Sequence, residues 1–245
     1  MADIILKAQG LTKVYTMGVE KVYALRGISL DIIRGNYVSI MGPSGSGKST
    51  FFNIVGGLDQ PTEGEVFMDG HRFGDLNPSQ MAWVRCHKVG YIFQSFNLIP
   101  SMTALENVSI ARIFSGLKPS EAQKDASEVL EQVGLGHRLH HIPAELSGGQ
   151  QQRVAIARAM VNKPEIILAD EPTGNLDLHT GEEIIKLLSK LQKEKNITVI
   201  TATHDMKMLA ASDVVVSISD GQIDRTDNRD EIKIKVGSID GDTMA

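Results

Sequence analysis

The chain has 245 residues, a formal net charge of −5 and a hydrophobic fraction of 42%, ordinary for a globular protein of one large or two small domains. The acidic balance offers no basic field for nucleic acid, and the single cysteine, Cys86, excludes an internal disulfide and fits a reducing compartment. No apolar run reaches the length of a bilayer span, and Met1 to Lys7 lack the basic and apolar regions of a secretion signal.

Residues 4–40 read as β-rich. Ile28, Leu30 and Ile32 alternate with Ser29 and Asp31, the period of a half-buried strand. Gly35-Asn36 predicts a turn into a short buried strand, Tyr37 to Met41. The next stretch is Gly42-Pro43-Ser44-Gly45-Ser46-Gly47-Lys48-Ser49-Thr50, which fits the phosphate-binding pattern G-x-x-x-x-G-K-[ST]. Thr50 to Val55, free of Gly and Pro, predicts a helix start. Strand, glycine loop and helix are the order that phosphate binding needs. Glycines let successive N–H groups turn inward, and the helix N-terminus adds partial positive charge. Lys48 is placed to reach the β- and γ-phosphates, and the Ser49 hydroxyl to hold Mg²⁺.

Beyond the loop, residues 64–70 form a further short strand between glycines. Asn77 caps a short helix with Pro78 at its first position. Val89 to Phe93 form a buried strand ending at Gln94. Residues 103–142 are predicted to be largely helical, with a capping box from Ser120 and Gln123 and a stop at Gly134. A second α/β run follows: a helix from Gln150 to Val161, then a strand from Ile166 to Ala169 that ends at Asp170-Glu171. Ile184, Leu187, Leu188 and Leu191 mark an amphipathic helix, and the strand Thr198 to Thr203 delivers His204. The alternation predicts a parallel sheet covered on both faces. Residues 214–223 read as strand and turn, and 224–245 as a polar, weakly ordered tail.

Two constellations carry further chemistry. Asp170 and Glu171 stand at the C-terminal end of a strand, the sheet edge where ligands bind. Asp170 suits a Mg²⁺ ion, and Glu171 suits polarising a water aimed at a γ-phosphate. Leu146-Ser147-Gly148-Gly149-Gln150 makes a second anion-ready helix N-terminus. One nucleotide does not need two such cradles in one subunit, so a sensible use is to cap a nucleotide held by another; taken alone, the stretch reads first as a glycine-rich loop that caps its own helix.

In this order, Gly42–Thr50, Gln94, Leu146–Gln150, Ile166–Glu171, Asn175-Leu176-Asp177 and His204 resemble the nucleotide-binding subunit of an ABC transporter, over residues 4–223. The resemblance implies an α/β P-loop NTPase fold with a RecA-like core, an antiparallel β subdomain and a helical subdomain at 87–142. It implies MgATP hydrolysis. Gln94 matches the loop glutamine that touches Mg²⁺ and the attacking water, and Ser147 and Gly149 match the signature that contacts γ-phosphate across a dimer. Asp177 matches the loop linking two sites, His204 the switch histidine, and Tyr15 the aromatic that stacks on adenine, with Tyr23 as second choice. Asn53 to Asp59, Pro61 to Val66 and Phe96 to Pro100 with Thr103 to Val108 are similar to the lipoprotein-release, macrolide-export and cell-division ATPases. Phe51-Phe52 departs from the smaller aliphatics usual there. The implied partners are a second copy, in an ATP-sandwich homodimer, and a membrane permease reached through Gln94–Pro100 and the helical lobe. Phe96, Leu98, Ile99 and Met102 are the candidate contacts. That places the chain at the cytoplasmic face of the membrane, peripherally. A soluble DNA-repair ATPase of the same superfamily needs coiled-coil arms that the span 51–145 lacks. A cell-division-type regulatory ATPase shares every catalytic part and stays open.

Overall fold

A computed structural model describes residues 3–203, 209 and 211–229. It opens on a long hairpin, β1 (Ile4–Met17) and β2 (Glu20–Ile33), joined by β4 (Glu63–Met68) and the short β5 (His71–Arg72) in an antiparallel sheet of order β2-β1-β4-β5. The second sheet contains β3 (Tyr37–Met41), β6 (Val89–Ile92), β7 (Ile166–Asp170), β8 (Thr198–Thr203), β9 (Val214–Ser219) and β10 (Gln222–Asn228), in the order β10-β9-β3-β8-β7-β6. Every pairing from β9 through β6 is parallel, and only β10 runs antiparallel. Buried on both faces, β7 is a continuous apolar run up to Asp170, while β3 and β8 bury Ser39, Thr198, Thr201 and Thr203 among their apolar residues.

Two cores flank this sheet. One fills the space toward the antiparallel sheet and contains Leu11, Leu25, Ile28, Phe51 and Phe52. The other packs α3 (Ala104–Phe114), α4 (Pro119–Gln132), α5 (Gly148–Met160) and α6 (Leu178–Lys195) against the opposite face. Phe51 and Phe52, on α1 (Lys48–Val55), are both fully buried and meet edge to face at 6.4 Å. The larger rings are thus absorbed as core. An ion network staples the two sheets: the Arg34 guanidinium binds Asp3, Asp69 and Glu165, and Lys88 binds Asp69 and Glu165.

Asn77 caps α2 (Pro78–His87) as expected, with Gln80 completing a capping box. Three expectations need correction. The Ser120–Gln123 capping box does not form, because Pro119 takes the first helical position and Lys118 becomes the cap. Capping boxes form instead at Thr103–Glu106 and Ser147–Gln150. The helical lobe cannot begin at 87, because β6 pairs in parallel with β7 as an edge of the core sheet. Gly90 permits this: a Cβ there would lie 2.4 Å from the Ala159 carbonyl oxygen of α5. Residues 224–228, expected to belong to a weakly ordered tail, instead lie in β10, which pairs with β9. Its polar composition belongs to an edge strand with one face in solvent, not to disorder. Among the described residues no helix is long and apolar enough to cross a membrane. His204, expected near the γ-phosphate, and residues 230–245 of the tail lie outside the described residues.

Candidate functional site

The phosphate-binding loop leaves β3 and enters α1 through glycines the geometry demands. A Cβ at Gly42 would lie 2.1 Å from the Ile218 carbonyl oxygen. Gly47 has φ +104°, and a Cβ there would lie 2.5 Å from the carbonyl oxygen of Ala24 on β2. The β1–β2 hairpin carries a register shift at this point, and its backbone rests directly on the loop. Lys48 is buried, and its Nζ donates to the carbonyl oxygens of Gly42 at 2.8 Å and Pro43 at 2.9 Å. Ser46 Oγ is buried with no partner. No side chain caps the N-terminus of α1, and its first turn carries no acid. A buried cation, an unpartnered hydroxyl and uncapped helix amides form a cradle whose donors suit a polyphosphate.

Across the loop, β7 ends at Asp170, which accepts a hydrogen bond from the Ser49 side chain. Burial raises the Asp170 carboxyl's pKa; Ser49 and Lys48 oppose it, while the charge of Glu171 adds to the rise. Glu171 sits at φ +44°, uncommon for a side chain with a Cβ, and its N–H donates to the Ala202 carbonyl of β8 at 3.0 Å. Lys48, Ser49, Asp170 and Glu171 therefore gather at one sheet edge. Among the described residues no group of three or more His, Cys, Asp or Glu could hold a metal alone. A hydroxyl and a carboxylate are the hard oxygen donors Mg²⁺ accepts, and this ion takes its remaining ligands from water and phosphate. The pair fits it.

Tyr15 lies at the same loop. Its hydroxyl donates to Asp59 Oδ2 at 2.9 Å, and the Thr50 hydroxyl also interacts with it. Tyr23 pairs with Val14 and so occupies the opposite face of the hairpin from Tyr15. Asp59 and Lys13, which surround Tyr15, carry no signal in the sequence that marks them for the site. No local pattern links residues so far apart in the chain.

The remaining expected residues form a second cluster. The Gln94 backbone carbonyl accepts from Asn175 Nδ2 at 2.9 Å, and a Cβ on Gly174 would lie 2.8 Å from Gln94 Nε2. Ser147 caps α5, accepting from the Gln150 N–H at 3.3 Å. That leaves the Gly148 and Gly149 amides, the first two of the helix, without intrahelical acceptors. Ser147 is exposed, whereas Gly149 is buried, and a Cβ there would lie 2.4 Å from Thr180 Cγ2. The second glycine thus serves close packing of α5 against α6. Among the described residues no hydrogen bond joins Ser147 or Gly149 to the phosphate loop. Asp177 caps α6 through the Thr180 N–H at 3.1 Å. Arg158 of α5, also unforeseen, donates to the carbonyls of Phe96 at 2.8 Å and Asn97 at 2.5 Å, both at positive φ.

Of the candidate partner contacts, Leu98 packs against the core and Phe96, Ile99 and Met102 are half-buried. Beside them runs a groove lined by Arg85, Cys86, Phe93, Asn97, Phe114 and Arg158 among others. Phe114 is 78% exposed on its rim, and Trp83 is half-exposed on α2.

Residues 25–174 match the family described as ABC transporter. The chain is 50% identical over 224 residues to an uncharacterised ABC transporter ATP-binding protein, MJ0796 of Methanocaldococcus jannaschii, covering 90% of this chain and 95% of the relative. The dimeric structure of that cassette in a post-hydrolysis state, bound to ADP and Pi, superposes with a TM-score of 0.85 at 47% identity, covering 91% of this chain and 98% of the other. The lipoprotein-releasing system ATP-binding protein LolD of Acinetobacter baylyi is 44% identical over 222 residues, 90% of this chain and 97% of the relative. The macrolide export ATP-binding/permease protein MacB of Rhodopirellula baltica is 42% identical over 98% of this chain, which spans only 35% of that longer protein.

Proposed function

The chain belongs to the ABC transporter family as an ATP-binding subunit that hydrolyses ATP, and from that premise we propose that two copies close head-to-tail around two MgATP molecules to drive a separate membrane subunit. The observation that carries this reading is the division of one site between two surfaces. Lys48, Ser49, Asp170 and Glu171 meet at one sheet edge, while the exposed Ser147 and the free amides after it have no phosphate of their own to bind. The dimeric state of the MJ0796 cassette supports the closure.

Lys48 and the first amides of α1 hold the phosphates, and Tyr15 stacks on the base. Ser49, Asp170 and Gln94 hold Mg²⁺, which when bound neutralises charge on the phosphate oxygens. Glu171 takes the proton of the attacking water, and its fixed backbone keeps the carboxylate oriented. Gln94 and His204 complete the water site, and Ser147 and Gly149 of the partner copy close it. The groove beside Phe114 and Arg158 receives a cytoplasmic helix of the membrane partner and holds the chain peripherally at that face. The likeness to LolD and MacB favours lipoprotein release or export as the work performed.

Binding and turnover separate the assigned roles. Lys48→Ala weakens ATP binding and hydrolysis together, whereas Glu171→Gln keeps binding and loses most turnover. Full activity in Glu171→Gln removes it from the catalytic role.

A further inference from the structure

Tyr15 is 37% exposed on a hairpin strand. An exposed tyrosine normally changes rotamer freely, on the ps–ns scale. This one is held from two sides. Its hydroxyl donates to Asp59 Oδ2 at 2.9 Å, and the Lys13 ammonium lies over its ring, 5.0 Å from the centroid. Lys13 is itself held by Asp59, through Oδ1 at 2.7 Å, and by the Gln60 carbonyl at 2.6 Å. One carboxylate therefore grips both the ring's far end and the cation on its face.

Asp59 is in turn fixed to α1. Its N–H donates to the Asn53 carbonyl at 3.1 Å, and its Oδ1 also accepts from the Gln60 N–H at 2.7 Å. Burial pulls the carboxyl's pKa upward, but the hydrogen bonds from Lys13 and Tyr15 outweigh it and the net shift is downward, so the group is ionised at neutral pH. The helix whose first residue is Lys48 thus also anchors the ring beside Thr50.

We propose that Asp59 is a positioning residue for nucleobase recognition: by binding the Tyr15 hydroxyl with one oxygen and the Lys13 ammonium with the other, it holds the ring in place to stack on the purine of the nucleotide. This rests on the assignment of Tyr15 to the base. The cation occupies one ring face, and the uncharged base stacks on the opposite one. A ring already fixed before binding loses no rotamer freedom on stacking.

The test compares MgATP with magnesium tripolyphosphate, which has the phosphates and no base, by calorimetry on the full chain. Asp59→Asn keeps the size of the side chain and removes its charge. It is expected to weaken MgATP by about three- to tenfold while tripolyphosphate stays within about twofold of wild type. Tyr15→Phe keeps the ring, loses the tether and shows the same selectivity; it also serves if Asp59→Asn does not fold. Tyr15→Ala loses at least as much MgATP affinity, and adding Asp59→Asn to it changes nothing more. Equal losses for both ligands in Asp59→Asn, or none for either, overturn the positioning role while leaving Tyr15 at the base. If Tyr15→Ala itself does not discriminate between the ligands, the base assignment falls and the proposal with it.

Discussion

Two glycines of the phosphate loop separate backbone strain from steric fit. Gly45 has φ +79°, and a Cβ added there would meet nothing within 4 Å, while Gly47 has φ +104° and its Cβ would meet the Ala24 carbonyl oxygen at 2.5 Å and Leu25 Cδ2 at 2.9 Å. Gly45→Ala therefore suffers only the left-handed penalty, about 1–2 kcal/mol. Gly47→Ala suffers that penalty and must also push back the β2 backbone, which adds about 1–3 kcal/mol. Leu25 can give way by rotation, but Ala24 O is main chain held in the hairpin, and the neighbouring Arg26 N–H is bonded to Gly221 O at 2.8 Å. The total for Gly47→Ala is roughly 2–5 kcal/mol. Urea titration of the nucleotide-free chain, followed by circular dichroism, reads the difference directly. Equal midpoints for the two variants would show that the hairpin does not bear on the loop, and the reasoning fails.

Other outcomes follow from the charges and the surface. Because burial raises the folded pKa of Asp170, its ionised form costs stability at neutral pH, so Asp170→Asn raises the thermal midpoint of the nucleotide-free chain while abolishing hydrolysis. The Lys88 hydrogen bond, aided by Arg34 and opposed by burial, holds Asp69 below the usual carboxylate range. Its stabilisation is complete above the unfolded value of about 4 and is lost as pH falls through the lower folded value. In urea titrations across pH, the deficit of Asp69→Asn is therefore constant near neutrality and shrinks below about pH 4. Phe114→Asp, at a 78% exposed position, leaves ATP hydrolysis by the isolated chain unchanged and reduces co-sedimentation with membranes carrying the partner subunit.

The site is legible in the sequence where its chemistry is local. A glycine loop between strand and helix, and two acids ending an apolar strand, are short-range signals, and the structure brings Lys48, Ser49, Asp170 and Glu171 to one edge. What stays hidden depends on distant pairs. Asp59 meets Tyr15 across 44 positions, and Arg158 meets Phe96 across 62. The β10 strand is hidden by the opposite cause: as an edge it is too polar to register as a strand. Pro119 displaces the Ser120–Gln123 cap, a competition between two valid helix-start signals.

The central claim is that Ser147 of one copy closes the ATP site of the other. Sizing of Glu171→Gln by gel filtration with light scattering tests it, with MgATP or MgADP and with or without Ser147→Arg. Ser147 is exposed, and losing its weak cap to Gln150 costs about 1 kcal/mol, so the variant folds. Glu171→Gln is expected to dimerise with MgATP and not with MgADP, and the double variant to bind ATP yet remain a monomer. An ATP-dependent dimer of the double variant contradicts closure in trans.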